Sequence, residues 1–518
     1  MSAVPTELLE PVDALALDVA DEAATARLGN DLAMALRPGD AVALSGDLGA
    51  GKTALARAAI RALNGPDTEV PSPTFTLAQD YPDGALPVLH LDLYRLADPS
   101  EADELGIEDA LEAGAVLIEW PERGDIAPTL TVALAERGEE RDGEGRDGEG
   151  RDVVITGTPD ALARVRRSLG LRDFLARHDL GDAPRVPLSA DASARRYEAV
   201  ERDGATWLVM DDPHAPDGPP VRGALPYSRV AHLAEDIVPF VAVAQALRAR
   251  GFAAPAIHGA DLHAGFALIE HLGRGSVLDA DGRPIPERYL AAAETLAALH
   301  DERWVDPMPV GGIAHVVPPF DRGAMTIEIE LTLDWAFPRL VGRPASETER
   351  ASFLAAWGTA LDALDAAAET SLVLRDVQAP NLVWREREAG IARVGLIDFQ
   401  DALIGPAAYD LASLGQDARV TIPTDLEGAI RERYRAARRT PVTGDPDLAY
   451  AVMAAQRATK LFGLWVRLDE RDGKPHFLRN AHRTRLYFAR VLGHPALHAV
   501  RDWMTEHDLL ARSERMHP

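Results

Sequence analysis

The chain has 518 residues, of which 47% are hydrophobic, so it is long enough for two or three folded domains rather than a single core. Its formal net charge of −28 argues against direct binding of nucleic acid, because phosphate contacts need a basic surface. The absence of cysteine excludes disulfides, thiolate metal sites and cysteine nucleophiles. Because no apolar run approaches the roughly 18 residues of a membrane helix and the acidic start lacks a basic signal region, we expect a cytoplasmic protein without a membrane partner.

A phosphate-binding loop is predicted near the amino terminus. The apolar run 41–45 reads as a buried strand, GDLGAGKT follows at 46–53, and a helical stretch comes next. Backbone N–H groups of such a loop wrap phosphates at a helix N-terminus, the lysine reaches the β- and γ-phosphates, and the threonine hydroxyl serves Mg²⁺. The predicted nucleotide-binding residues are Gly46, Asp47, Gly49, Ala50, Gly51, Lys52 and Thr53, and Thr53 is also a predicted metal ligand.

Two acidic residues follow in strand-like runs whose alternation with polar segments is typical of a nucleotide-binding α/β domain. The run 87–96 carries Asp92, and the run 115–122 delivers Glu119 and Trp120 at its end. An acid at the tip of such a strand can hold Mg²⁺ or position water. We therefore predict both acids as catalytic and Glu119 also as a metal ligand, while a surface or capping role for Asp92 stays open.

Several blocks together resemble the TsaE family, the small ATPase of bacterial tRNA threonylcarbamoyladenosine (t⁶A) synthesis. These blocks are GDLGAGKT, the SPTF loop, HLDLYRL, DELGIEDAL and LIEWPERG, and they cover about residues 18–165. The resemblance implies an ATPase that uses ATP and Mg²⁺ and docks on the threonylcarbamoyl-transferase complex rather than on tRNA. It also implies that Thr74 binds nucleotide within a responsive loop. A generic P-loop switch without a tRNA role is the alternative.

A charged repeat interrupts the chain at 136–152, where RDGEG occurs twice in tandem. Its composition is typical of disorder, but strand-like runs at 129–134 and 153–157 flank it. We predict a hairpin with a flexible, expanded tip, because long insertions at loop tips cost little. The domain boundary is therefore placed near Ser168, which gives domains of 1–167 and 168–518, and the helix-like stretch 171–180 is predicted to begin the second domain.

The first lobe of the second domain, about 168–273, is predicted to contain hairpin strands and to lack one expected residue. Protein kinases carry a phosphate-covering loop, here at 190–194, and a phosphate-binding lysine on the third strand. Met210 and Asp211 stand where that lysine is expected. Arg195 and Arg196 are the nearby cations predicted to bind nucleotide in its place. Downstream, the strand-like run ending at Glu270 and His271 resembles the hinge of a kinase, with a structural role favoured for both side chains.

The second lobe, about 274–518, contains the motif of a phosphotransferase. LRDVQAPNLVW and LIDFQDA supply Asp376, Asn381 and Asp398 in the spacing of a kinase catalytic loop and metal strand. Asp376 would orient and deprotonate the acceptor hydroxyl, and the other two would bind Mg²⁺ through hard oxygens. A polar turn between strands is the alternative interpretation of each fragment. Asp410 is predicted to brace the loop.

DASARRY, the LRD…N loop and LIDFQDALIGPAAYDLASL resemble the aminoglycoside phosphotransferase superfamily over about residues 168–493. More narrowly, they resemble the AmgK cell-wall sugar kinases. That resemblance implies ATP-dependent phosphorylation of the anomeric hydroxyl of N-acetylmuramate or N-acetylglucosamine in peptidoglycan recycling. Arg375 replaces the histidine common before the catalytic aspartate, which puts the loop geometry in question.

The predicted fold class is an α/β P-loop NTPase domain followed by a bilobal α+β, protein-kinase-like (aminoglycoside phosphotransferase) domain. For the second domain two alternatives stay open. One is a kinase for an aminoglycoside, choline or an amino acid. The other is a silent nucleotide-binding scaffold, because the lobe lacks its lysine. No direct coupling between the two activities is expected.

Overall fold

A computed structural model describes residues 14–136, 150–188, 195–304 and 307–515. The chain divides into two compact units, Met1–Asp212 and Pro213–Pro518. Most of the predicted hairpin tip at 136–152 and the predicted phosphate-covering loop at 190–194 lie outside the described residues. In the part of the chain that is described, no helix is both long and apolar enough to cross a membrane.

Within the described residues of the first unit, a mixed seven-stranded sheet provides the framework. Its strands, in order across the sheet, are β1 (Leu15–Val19), β7 (Arg151–Gly157), β6 (Leu130–Glu136), β2 (Ala41–Ser45), β5 (Ala115–Glu119), β4 (Val88–Asp92) and β3 (Ala78–Tyr81). The four central strands run parallel, whereas the outer ones pair antiparallel. Strands β6 and β7 form the predicted hairpin, so that prediction is confirmed.

The helices of this unit are α1 (Glu22–Ala35), α2 (Lys52–Asn64), α3 (Ile107–Ala113) and α4 (Pro159–Ala176). Strands β2, β4 and β5 are near-continuous apolar runs because parallel strands are buried on both faces. Their carboxyl ends meet at one edge of the sheet, where Asp92 and Glu119 are register partners. The loop 46–51, which joins β2 to α2, lies at that same edge and completes a nucleotide-binding arrangement.

The chain continues from this sheet into three antiparallel strands, β8 (Arg185–Leu188), β9 (Arg196–Arg202) and β10 (Ala205–Asp211). The sequence predicted a boundary near Ser168 and a new helix from 171. The structure instead has one unbroken helix, α4, that passes through Ser168. Thr158 caps its start, and Ser168 is buried on the face that packs inward.

A buried polar cluster joins α1 and α4 to β8. The guanidinium of Arg185, 1% exposed, donates to Glu198 at 2.6 Å and to Asp31 at 2.8 Å. Asn30 exchanges two hydrogen bonds with the Arg185 backbone, and Arg172 donates to both oxygens of Asp31. Because each buried charge has oppositely charged partners, the cluster fixes β8 to α1.

The second unit is mostly helical. Its strands are β11 (Pro220–Arg222), β12 (Leu225–Pro226), β13 (Ile257–Asp261), β14 (Phe266–Glu270), β15 (Met308–Val310), β16 (Ile313–His315), β17 (Thr370–Val373), β18 (Leu382–Trp384), β19 (Val394–Leu396) and β20 (Leu403–Pro406). Its helices are α5 (Tyr227–Val230), α6 (Val238–Ala249), α7 (Pro286–His300), α8 (Arg322–Leu331), α9 (Phe337–Val341), α10 (Glu347–Ala367), α11 (Ala408–Gly415), α12 (Thr424–Ala437), α13 (Pro446–Glu470), α14 (Ala481–Val491), α15 (His498–Glu506) and α16 (Leu509–Arg512). Two short antiparallel ladders, β17 with β20 and β18 with β19, hold the loops that carry the predicted catalytic residues.

Replacing Arg185 with methionine should destabilise the first unit by about 3–5 kcal/mol, because Asp31 and Glu198 then stay buried without this cation. Arg27→Met is the matched control, since Arg27 forms an exposed pair with Asp182 that is worth at most about 1 kcal/mol. Denaturant unfolding of the full-length chain measures both effects. Equal losses in the two variants would contradict a stabilising role for the cluster.

Candidate active sites

The loop 46–51 closes around the side chain of the lysine that follows it. Lys52 Nζ donates to the carbonyl oxygens of Gly46 at 2.7 Å and Asp47 at 2.8 Å. Its ammonium also lies 3.8 Å from the ring centroid of Trp120. Burial lowers the pKa of Lys52, and the nearby carboxylates, Glu119 first among them, oppose that shift. The lysine is thereby held at the mouth of the loop, where a phosphate is bound in such loops.

The loop needs glycine at two of its predicted positions. Gly46 has φ of 138°, and a Cβ there would lie 2.3 Å from the carbonyl oxygen of Leu134. Gly51 has φ of 103°, and its Cβ would meet the Arg151 side chain at 2.7 Å. A side chain at position 46 would therefore collide with the backbone of β6, and a side chain at position 51 would be strained mainly by the positive φ.

Glu119 connects the loop to the sheet. Thr53 donates its hydroxyl to one carboxylate oxygen at 2.8 Å, and Nε2 of His90 lies 3.0 Å from the other. Glu119 is 2% exposed and His90 is fully buried. The sequence analysis did not single out His90; only its place two residues before Asp92 on an inward-facing strand could have indicated it.

Asp92 takes a different set of partners. It accepts hydrogen bonds from the hydroxyls of Thr74 at 2.6 Å and Ser72 at 3.2 Å, and from the backbone N–H of Tyr94 at 3.1 Å. Asp92 is only 3% exposed, which argues against the surface role that the sequence left open. Its hydrogen bonds instead connect the SPTF loop to the end of β4. The structure brings together Lys52, Thr53, Thr74, Asp92 and Glu119.

The kinase motif also comes together, in the second unit. Nδ2 of Asn381 donates to the backbone carbonyl of Asp376 at 2.8 Å and lies 3.2 Å from Oδ2 of Asp398. Gln400 donates to the other oxygen of Asp398 at 3.0 Å. The carboxylate of Asp376 is 41% exposed, so it is open to an acceptor. The three side chains predicted from the sequence therefore share one site.

Two buried aspartates hold this catalytic loop. Asp410 accepts from the backbone N–H groups of Leu374 at 2.7 Å and Arg375 at 2.9 Å, which is the predicted bracing. Asp417, which the sequence analysis missed, accepts from the N–H of Ala379 at 2.7 Å and from Tyr289. Burial raises the pKa of Asp417, and these hydrogen bonds act in the opposite direction.

Arg375, in the position of the usual histidine, has buried partners of its own. It forms an ion pair with Glu328 and donates to the carbonyl oxygen of Ala231 at 3.1 Å. Lys460 Nζ lies 2.7 Å from Glu328 as well. Burial alone would raise the pKa of Glu328, but Lys460 and Arg375 outweigh it and bring the pKa down to about 2. The departure at this position is therefore compensated within the core.

The predicted substitutes for the missing lysine belong to the first unit. Arg195 donates to Asp212 at 3.1 Å and is half-buried, whereas Arg196 is exposed. Asp211, at the expected lysine position, is paired with Arg167 of α4. The predicted role of Arg195 and Arg196 in binding nucleotide stays a prediction.

The hinge-like residues have structural contacts. Glu270 accepts from the N–H of Ala256 and from Arg248, both at 3.0 Å. Nδ1 of His271 accepts from the N–H of Gly273. Neither contact requires a nucleotide, in keeping with the structural role favoured from the sequence.

Both sites fit Mg²⁺ held together with a nucleotide. Among the described residues, no group of three His, Cys, Asp or Glu side chains could hold a metal ion alone. Thr53 with Glu119, and Asn381 with Asp398, each offer a pair of oxygen-bearing side chains. Mg²⁺ prefers few protein oxygens, with phosphates and water completing the octahedron. These residues would hold the metal in the respective sites.

Comparison with known proteins agrees with this geometry. Residues 19–145 match the family model "Threonylcarbamoyl adenosine biosynthesis protein TsaE", and residues 184–449 match "Phosphotransferase enzyme family". The chain is 32% identical over 349 residues to the N-acetylmuramate/N-acetylglucosamine kinase of Caulobacter vibrioides, covering 64% of this chain and 93% of that protein.

Two tRNA threonylcarbamoyladenosine biosynthesis proteins TsaE resemble the amino-terminal part. The protein of Rickettsia felis is 47% identical over 102 residues, which is 20% of this chain and 60% of that protein. The protein of Rickettsia bellii is 44% identical over 101 residues, or 20% of this chain and 70% of that protein. The chain thus spans well under the full length of these relatives.

Replacing Glu328 with glutamine should destabilise the second unit by about 3 kcal/mol or more at neutral pH, because Arg375 and Lys460 lose their shared carboxylate. The folded pKa lies below the ordinary value of 4.5, so the ionised carboxylate stabilises the fold above pH 4.5. That contribution is lost as the pH falls toward 2.

Denaturant unfolding of full-length wild type and Glu328→Gln at several pH values measures this. The difference in stability between them should shrink between pH 4.5 and 2. Glu347→Gln, at an exposed position in the first turn of α10, is the control. A difference that stays constant over this pH range would contradict the assignment.

Proposed function

Because the chain belongs to the phosphotransferase enzyme family and its amino-terminal part to the TsaE family, we propose that it is a fusion of two enzymes. The amino-terminal part is an ATPase that supports t⁶A modification of tRNA. The remainder is an ATP-dependent kinase that phosphorylates the anomeric hydroxyl of N-acetylmuramate and N-acetylglucosamine. The observation that carries the kinase proposal is the meeting of Asp376, Asn381 and Asp398 in one site.

In the kinase site, Asp376 receives the proton of the sugar hydroxyl as the hydroxyl oxygen bonds to the γ-phosphorus. The bond from that phosphorus to the departing ADP oxygen breaks, so atoms and charge balance. Asn381 fixes the loop by its hydrogen bond to the Asp376 carbonyl, and together with Asp398 it would hold Mg²⁺. Bound ATP supplies the phosphoryl group, and Mg²⁺ neutralises its charge.

In the ATPase site, Lys52 and the N–H groups of the loop bind phosphate, and Thr53 and Glu119 serve the metal. His90 fixes the orientation of Glu119 through a buried hydrogen bond. Asp92, joined to Thr74, connects the nucleotide-responsive loop to the same sheet edge and helps position water for hydrolysis.

The proposed partner of the ATPase part is the threonylcarbamoyl-transferase complex. Two large apolar side chains beside the site support a docking role, since Leu48 and Phe75 are 80% and 81% exposed. One lies in the phosphate loop and the other directly follows Thr74. A partner seated there would contact both nucleotide-binding loops at once. The acidic net charge agrees with an indirect role in tRNA modification.

Asp376→Ala in the full-length chain should lower kcat for N-acetylmuramate at least about 100-fold, because the acceptor hydroxyl loses its base. A coupled assay for ADP release measures turnover, with N-acetylglucosamine as the second substrate. Asp362→Ala, at an exposed position on α10, is the control. If the wild-type chain turns over neither sugar, the proposed substrate is wrong. If Asp376→Ala keeps full activity, the proposed mechanism is wrong.

Lys52→Ala in the full-length chain should abolish its ability to restore t⁶A in cells that lack their own TsaE, because the loop loses its phosphate-binding cation. The same variant should keep its sugar kinase activity, and Asp376→Ala should keep its t⁶A activity. Nucleoside analysis of tRNA and the kinase assay give the two readouts. If the wild-type chain fails to restore t⁶A, the assignment of the amino-terminal part is wrong.

A further inference from the structure

A buried arginine on α13 lies beside the catalytic aspartate of the kinase site. The Arg457 side chain is 4% exposed, and its Nη2 atom lies 3.7 Å from Oδ1 of Asp376. This distance is longer than a charge-assisted hydrogen bond. In the described parts of the second unit, that ion pair is the one polar contact found for the guanidinium. Arg457 therefore keeps its donors for another acceptor.

The next cation along the same helix has a close partner of opposite charge. Lys460, one turn further along α13, lies 2.7 Å from Glu328. Arginine carries five N–H donors, and a buried charge without acceptors is costly unless a ligand supplies them. The contrast indicates that Arg457 is placed for a ligand rather than for the fold.

The location of Arg457 indicates which ligand it meets. Asn381 and Asp398 occupy the side of the site that serves the metal and the phosphates. Arg457 instead projects from the helical part of the unit, where its charge acts on buried Tyr409 and Asp417. Asp376 contacts both groups: its backbone carbonyl accepts from Asn381, and its exposed carboxylate, which would meet the acceptor hydroxyl in the proposed function, lies beside Arg457. Arg457 thus borders the acceptor rather than the nucleotide.

We propose that Arg457 is the anion subsite of the acceptor pocket and binds the carboxylate of an acidic amino sugar. This inference rests on the proposed kinase function. N-acetylmuramate differs from N-acetylglucosamine by a lactyl ether on the third ring carbon, two carbons from the anomeric position, and the lactyl group ends in a carboxylate. The planar guanidinium matches that carboxylate in shape and charge. Arg457 would therefore favour the acidic sugar over the neutral one.

The test compares three acceptors: N-acetylmuramate, its methyl ester and N-acetylglucosamine. Arg457→Met in the full-length chain should lower kcat/KM for N-acetylmuramate at least about tenfold relative to the other two, mainly through KM, because a charged hydrogen bond is lost. Wild type should prefer the free acid over the ester, and the variant should not. Arg471→Met is the matched control, since Arg471 is an exposed arginine at the end of the same helix.

An equal loss of kcat/KM for all three acceptors would overturn the proposal. It would indicate that Arg457 orients Asp376 or contacts the transferred phosphoryl group instead. Arg457→Lys keeps the charge and provides a second variant if Arg457→Met does not fold. Calorimetric binding of the acid and the ester to wild type tests the subsite without turnover. If the acid binds more tightly than the ester but is not phosphorylated, the proposed kinase function alone is wrong. If the acid and the ester bind equally, the proposed subsite is wrong.

Discussion

Buried carboxylates that accept hydrogen bonds from backbone N–H groups fix the conformation of the kinase loop around Asp376. Asp410 binds the N–H groups of Leu374 and Arg375, and Asp417 binds that of Ala379 from the other end. Arg375 has φ of 71°, a left-handed conformation that costs a residue with a side chain about 1–3 kcal/mol. Such strain persists because the surrounding hydrogen bonds and the buried Arg375 ion pair fix the backbone. The position of Asp376, the proposed catalytic base, follows from that bracing.

The grouping of the side chains in each candidate site could be predicted from the sequence because the main parts of each site are local. A phosphate loop is a contiguous segment, and the spacing of Asp376, Asn381 and Asp398 is set by one loop and one short ladder. The acids at the ends of β4 and β5 could be predicted for a related reason. Parallel strands bring their carboxyl ends to one edge, so Asp92 and Glu119 become neighbours whatever connects them.

Other features of the two sites could not be predicted, because they depend on contacts between residues remote in sequence or on a residue that replaces the expected one. His90 matters only once β4 and β5 are paired, and Arg457 only once α13 packs near the catalytic loop. The missing lysine gave no indication that Asp211 would instead pair with Arg167. The helix expected to begin a new domain was wrong in extent, because apolar positions in α4 continue across Ser168 and the helix tolerates Gly170 in its interior.

The cluster around Arg185 has a consequence for where this chain can be divided. Asp31 lies in the segment matched by the TsaE model, and Arg185 lies in the segment matched by the phosphotransferase model. Their ion pair is buried, so removal of either charge leaves the other with fewer partners in the core and destabilises the fold. A gene split anywhere between them would expose a charged face on both products. The segments matched by the two family models therefore share one buried ion-pair network within the first unit, and a cut between Asp31 and Arg185 would divide that unit.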